Sequence, residues 1–199
     1  MASTTAIFEQ DAVPEPKRWT VEQFVRFCES GELGGETDHF ELLDGEILQK
    51  LGQNEPHILS LLLSTDALRS AFGREFTVSQ QIPITLGEFS RPEPDISVLK
   101  GTARSFEGRP LGPNDVALLV EIADSRMDTA RGQKLEIYAK HGIAEYWIVD
   151  LRGRVVEVRR GPIRESGQWT ETRIYKEGES IAPLAARESV PVNELLPRP

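Results

Sequence analysis

The chain has 199 residues, 39% of them hydrophobic and 28% charged, a balance that predicts one sizeable core and excludes fibrous, collagen-like and wholly disordered classes. Its net charge of −9 excludes a general nucleic-acid-coating protein, whose affinity rests on lysine and arginine meeting phosphates, but does not exclude a nuclease. The single cysteine, Cys28, rules out an internal disulfide framework and suggests a reducing, cytoplasmic compartment, and no apolar run approaches the ~20 residues of a membrane-spanning helix.

Residues 1–17 carry acids and prolines without the basic and apolar regions of a signal peptide, so they read as a flexible tail before a single domain over 18–199. Thr20 and Gln23 frame a capping box, and Val21, Phe24, Val25 and Cys28 form a helical stripe ending near Gly31. Cys28 falls on that stripe, which predicts a buried, inert thiol. Apolar runs flank Asp44-Gly45, the strongest short-range hairpin signal, with Glu41 on the first strand. After Pro56 the positions Ile58, Leu61, Leu62, Leu68 and Phe72 recur at helical spacing up to Gly73, with His57 in the first turn.

Alternation of Phe76, Val78, Gln80, Ile82 and Ile84 predicts one long strand over 75–86, followed by a second strand over 95–99. The run Val116–Ala123 is apolar on both faces, the pattern of a central buried strand. A helix over 128–141 ends at Gly142, a buried strand follows over 145–149, and two further strands lie over 155–160 and 169–175. The order predicts an α/β fold, a mixed β-sheet flanked by helices. Charge is uneven along it: residues 1–60 hold twelve acids against four bases, and 151–176 hold seven bases against three acids. The second stretch reads either as a local basic face or as a solvated hairpin edge protected by charge.

Three ionisable residues, Asp95, Glu121 and Lys134, stand in or beside segments that otherwise read as core. A carboxylate in a buried strand costs several kcal/mol unless a cation or donors compensate it. Lys134 and Tyr138 are four apart on one side of their helix. From there a lysine stem either reaches over the adjacent strand towards Glu121 or snorkels into solvent. Asp124, at the end of the strand, fits a turn cap better than a catalytic acid.

Several ordered segments, Arg91-Pro-Glu-Pro-Asp95, Leu119-Val-Glu121-Ile-Ala-Asp124-Ser125, Lys134 with Tyr138-Ala139, and Gly142-Ile-Ala-Glu-Tyr146-Trp-Ile-Val-Asp150, resemble the Uma-type endonuclease family of the PD-(D/E)XK restriction-endonuclease-like superfamily. Phe40-Glu41-Leu-Leu-Asp-Gly-Glu46 and Pro56-His57 resemble its N-terminal signatures, so the likeness spans roughly residues 18 to 196. The resemblance implies an αβββαβ core with an N-terminal helix and hairpin and extra C-terminal strands. It also implies an Mg²⁺-dependent endonuclease, with Mn²⁺ as a substitute ion, acting on DNA rather than RNA as a homodimer.

In that family Asp95 and Glu121 would ligate the metal together with the backbone carbonyl of Ile122, Lys134 would be the catalytic cation and Glu41 would join the site, while His57 matches a recurrent histidine that either caps or lines the core or joins the site as a general base. Two departures stand out. The superfamily lysine usually follows the acid by two residues on the same strand, where this chain has Ala123; and Ala130 occupies a position where relatives often carry aspartate. The competing reading is a nuclease-like domain with weak or no turnover that serves as a nucleic-acid- or protein-binding regulatory module, because fold does not fix function.

Overall fold

Eight consecutive residues, Val116–Ala123, are buried without exception, and the chain is arranged so that both faces of this strand are covered. The computed structural model describes residues 17–31, 40–50, 52–124 and 129–198, apart from the side chains of 129–131. The expected tail over 1–17 therefore lies outside the described residues except for Lys17, and so do Ser125 and the Asp128 start of the third helix.

In chain order the elements are α1 (Val21–Glu29), β1 (Phe40–Leu43), β2 (Glu46–Gln49), α2 (Glu55–Phe72), β3 (Phe76–Gln80), β4 (Ile96–Lys100), β5 (Val116–Ala123), α3 (Thr129–Lys140), β6 (Glu145–Asp150), β7 (Val155–Ile163), β8 (Gln168–Lys176) and the short β9 (Ser180–Ile181) and β10 (Val190–Pro191). Strands β3 to β8 form one six-stranded sheet in sequence order. Every neighbour pair is antiparallel except β5 and β6. Those two are parallel because α3 carries the chain back across the sheet, the crossover that parallel pairing requires. The expected mixed sheet flanked by helices is the observed fold.

The two faces bury separate clusters. Leu61, Leu68 and Phe72 of α2 pack with Val98, Leu118, Val120 and Trp147 on one face. Ile137 and Tyr138 of α3 pack with Leu119, Tyr146 and Ile148 on the other. Asn54 caps α2 by accepting from the His57 N–H at 3.1 Å, and Gly73, at φ 79°, ends it. In the β1–β2 turn, Asp44 and Gly45 both have positive φ, 51° and 89°, as a type I′ hairpin demands. The hairpin docks on 89–93: Arg91 N–H donates to the Leu42 carbonyl at 2.7 Å, and Gly45 N–H to that of Phe89 at 2.7 Å.

Three local expectations are corrected. The capping box of α1 forms, but Phe24 is its only buried residue and Cys28 is exposed; α1 lies on the surface, so its apolar stripe is only partly covered. The long strand over 75–86 stops at Gln80, because Gln81 adopts φ 51° and its N–H turns to the carbonyls of Pro94 and Asp95 at 3.2 Å. On α2, Ile58 and Leu62 are exposed, with Leu59 between them; only the opposite half of the apolar repeat faces the sheet.

Truncation at the centre and at the edge of the sheet should differ sharply. Leu118→Ala should lower the unfolding free energy by about 2–5 kcal/mol through lost transfer and a cavity. Ile174→Ala, on the exposed edge strand β8, should change it by less than about 0.5 kcal/mol. Urea denaturation of the two variants checks this.

Candidate active site

Strand register brings the two acids together. Ile96 pairs with Val120 and Ser97 with Leu119, and one further step places Asp95 across from Glu121, with both side chains on the face that α3 covers. Like charges directly opposite on a sheet are destabilising, and here both are buried. The local structure therefore supplies compensation from three other elements.

The first is α3. Lys134, its side chain only 4% exposed, places Nζ 2.8 Å from Glu41 Oε2 and 3.0 Å from Glu121 Oε1. Of the two courses open to its stem, the one over the strand is taken. Tyr138, one turn on, donates its hydroxyl to the same Glu121 oxygen at 3.0 Å. The second is the β1–β2 hairpin, which delivers Glu41 and, just past β2, Lys50. Glu41 Oε2 also accepts the Glu93 N–H at 3.1 Å, tying the hairpin to the segment that leads into Asp95.

The third is the first turn of α2. His57 Nε2 lies 3.3 Å from Asp95 Oδ2, and that oxygen accepts the Ile122 N–H at 2.8 Å. Lys50 Nζ stands 3.7 Å from Asp95 Oδ1 and donates to the Glu93 carbonyl at 2.8 Å. Pro94 shapes this corner too. The same register sets Pro94 opposite Ile122, and proline has no N–H to donate. Ala123 turns its carbonyl to the β6 side, where Leu151 N–H meets it at 2.9 Å. Backbone direction alternates along a strand, so Ile122 turns its N–H and carbonyl to the β4 side, beside Asp95.

The structure thus brings together all five residues expected at the site, Glu41, His57, Asp95, Glu121 and Lys134, with Ile122 at its edge. Lys50 is the participant that sequence reasoning missed. It follows a strand in a polar stretch with no periodicity to mark it; the available signal was its isolation, as one of four bases among the sixty most acidic positions. Asp124 is half-buried, accepts from the Asn54 side chain and lies 3.8 Å from Arg152, and the turn it was expected to cap falls outside the described residues. The basic stretch over 151–176 is largely neutralised: Arg154 pairs with Glu177, Arg159 with Glu157 and Arg160 with Glu145. The solvated, charge-protected hairpin is the better description of it.

Electrostatics separates the two acids. Burial alone would raise Asp95, but His57, Lys50 and the Ile122 N–H outweigh it and hold the carboxyl below its usual range. Glu121 goes the other way: burial, helped by Asp95 and Glu41, pushes it up to about 7 against the pull of Lys134. Burial would lower Lys134, yet Glu121 and Glu41 raise it, so it stays charged. Three carboxylates face two lysines, leaving a surplus negative charge when His57 is neutral. Among the described residues no hydrogen bond reaches Asp95 Oδ1 or Glu121 Oε2, and no group of three or more His, Cys, Asp and Glu side chains is arranged to hold a metal. The donor set suits a hard divalent cation that takes few protein oxygens and keeps several waters.

Glu121 gives a pH signature with a definite sign. Its folded pKa lies above the ordinary 4.5, so the folded state keeps a proton that the unfolded chain releases. The associated stability is present in full below pH 4.5 and is lost as pH rises through 7. The contribution of Asp95 has the opposite sign and falls outside this window, being lost only as pH drops below 3.8. In metal-free buffer, the stability of wild type relative to Glu121→Gln should fall by on the order of 3 kcal/mol between pH 4.5 and 7. Denaturant titrations at a series of pH values read it directly; parallel pH curves would show that Glu121 titrates normally.

A family model described as "Putative restriction endonuclease", the Uma2 family, matches residues 21–191. A crystal structure of a putative nuclease belonging to DUF820 from Anabaena variabilis superposes with a TM-score of 0.68 at 20% identity, covering 88% of this chain and 96% of that one, which shows a shared fold. No curated protein matches the chain, and no helix among the described residues is long and apolar enough to cross a membrane. Matched over residues 21–191 by that model, the chain belongs to the Uma2 family, which is described as "Putative restriction endonuclease".

Proposed function

We propose that the protein is a metal-dependent endonuclease that hydrolyses phosphodiester bonds in DNA. The observation that carries this reading is the pairing of two buried cross-strand carboxylates, each with one oxygen that accepts no hydrogen bond among the described residues, beside a buried lysine. Asp95 Oδ1, Glu121 Oε2 and the Ile122 carbonyl would hold Mg²⁺, or Mn²⁺ in its place. When bound, such an ion supplies polarisation of a phosphoryl oxygen and acidifies the attacking water.

The chain's own residues do the rest. Tyr138 and Lys134 fix the rotamer of Glu121 by sharing its Oε1. Lys134 uses two of its three N–H groups on carboxylates, and the third is left to stabilise charge developing on the phosphoryl group. Glu41 keeps Lys134 protonated and in place. His57 holds Asp95 from the α2 side and is near enough to carry a proton to or from the site.

A homodimer would present one such site to each strand of a duplex. Ile58, Leu59 and Leu62 form an exposed apolar group on α2, one residue from His57, which supports α2 as the contact between copies. Sedimentation should show a dimer that Leu59→Glu dissociates; a monomeric wild type at micromolar concentration overturns the dimer alone.

Supercoiled and linear DNA incubated with Mg²⁺ or Mn²⁺ tests the main reading. Asp95→Asn should abolish both cutting and calorimetric Mn²⁺ binding. Lys134→Met should cut ~10²–10³ slower while keeping metal affinity within a few-fold. It should also melt markedly lower, because Glu41 and Glu121 lose their buried partner at a cost of about 3–5 kcal/mol. Cutting by both variants at the wild-type rate would overturn the assignment, and DNA binding without cutting under any divalent metal would establish the binding-module reading instead.

A further inference from the structure

We propose that Lys50 is a second active-site cation, the one that meets the phosphate of the incoming DNA, while Lys134 remains committed to the interior. This rests on the nuclease reading above and adds a division of labour between two lysines.

The two ammonium groups differ in partners and access. Lys134 is bonded to two carboxylates and is 4% exposed. Lys50 is anchored by one hydrogen bond to the Glu93 carbonyl. Its distance of 3.7 Å to Asp95 Oδ1 exceeds hydrogen-bond range, so among the described residues two of its three N–H groups have no acceptor. Its side chain is 16% exposed, against 4% for that of Asp95, so it has more access to solvent than the acid it faces. The stem is mostly covered and the head tethered, so the charge is already positioned and little rotamer entropy is lost when a phosphate arrives.

The need for such a group follows from the charge of the chain. A net −9 protein with three carboxylates in its site repels a polyanion. The arginine-rich hairpin does not offset this, since Arg154, Arg159 and Arg160 are paired internally. Among the described residues Arg152 is another cation at this end of β5, but it faces Asp124 and is 63% exposed. Lys50 is the cation placed within reach of Asp95 and still open to solvent. A lysine serves here as a point charge on phosphate.

The test compares wild type, Lys50→Met and Lys50→Arg. A fluorescent 20-base-pair duplex is bound in Ca²⁺ and cleaved in Mn²⁺ between 50 and 200 mM salt, alongside thermal melts. Lys50→Met should bind roughly tenfold more weakly at the lowest salt, and its salt slope should shrink by about one. Its loss of activity should fall on KM more than on kcat, and Lys50→Arg should restore KM to within about threefold. If wild type cuts and Lys50→Met keeps the wild-type affinity and slope, the proposal fails while the nuclease reading stands. If both variants lose activity together with melting temperature and the salt slope is unchanged, Lys50 is only a structural counterion to Asp95 and the proposal is overturned. If wild type itself neither binds nor cuts DNA, the nuclease reading fails and takes this assignment with it.

Discussion

A single buried ammonium group, that of Lys134 between Glu41 and Glu121, sets the terms for the surrounding structure. A charge of this kind cannot be left alone in a low-dielectric interior, where desolvation costs several kcal/mol per ion. Two carboxylates over-compensate it, and each comes from a different element: Glu41 from the β1–β2 hairpin and Glu121 from the central strand. The contact therefore fixes three elements at once. It orients α3 against β5, and it gives the hairpin a reason to dock where it does. The excess of negative charge that remains is drawn off on the far side by Lys50 and His57 around Asp95.

A second buried acid shows what a carboxylate looks like when the fold intends nothing further for it. Glu145 is fully buried, and its two oxygens accept from Trp147 Nε1 at 3.0 Å, Arg160 at 2.7 and 3.0 Å, and the Leu184 N–H at 2.7 Å. Both oxygens are served, and the group ties β6 to β7 and to the C-terminal segment. Glu121 is buried to a similar degree but receives donors on one oxygen only. Buried acids with complete donor shells hold a fold together, whereas incomplete shells mark places where another ligand is expected. The two glutamates of one sheet illustrate both cases.

Much of this was legible in the sequence, and what was not has identifiable causes. The Asp44-Gly45 turn, the unbroken apolar run of β5 and the Gly73 and Gly142 helix ends are local signals with local mechanisms, and each lies where the pattern put it. Asp95, Glu121 and Lys134 stood out because charge in a core segment is costly wherever it occurs. Cys28, Ile58 and Leu62 misled because periodicity says which residues share a face but not whether anything packs on it. The strand over 75–86 was overextended because alternation continued past Gln81, whose left-handed turn is set by the carbonyls of Pro94 and Asp95. Lys50 was missed for the same reason in stronger form: its role exists only once the hairpin has docked on 89–93.

That docking has a bearing on when, during folding, the site becomes complete. The site is assembled from contacts distant along the chain, among them Glu41 with Glu93, 52 positions apart, and Asn54 with Asp124, 70 apart. Residues before 60 supply Glu41, Lys50 and His57, the middle of the chain supplies Asp95, and residues after 120 supply Glu121 and Lys134. A chain still emerging from the ribosome lacks Glu121 and Lys134, and one opened at the hairpin loses Glu41 from Lys134 and Lys50 from Asp95. On the nuclease reading proposed above, competence to break nucleic acid would arrive only with the complete native fold, and the topology itself would act as the safeguard.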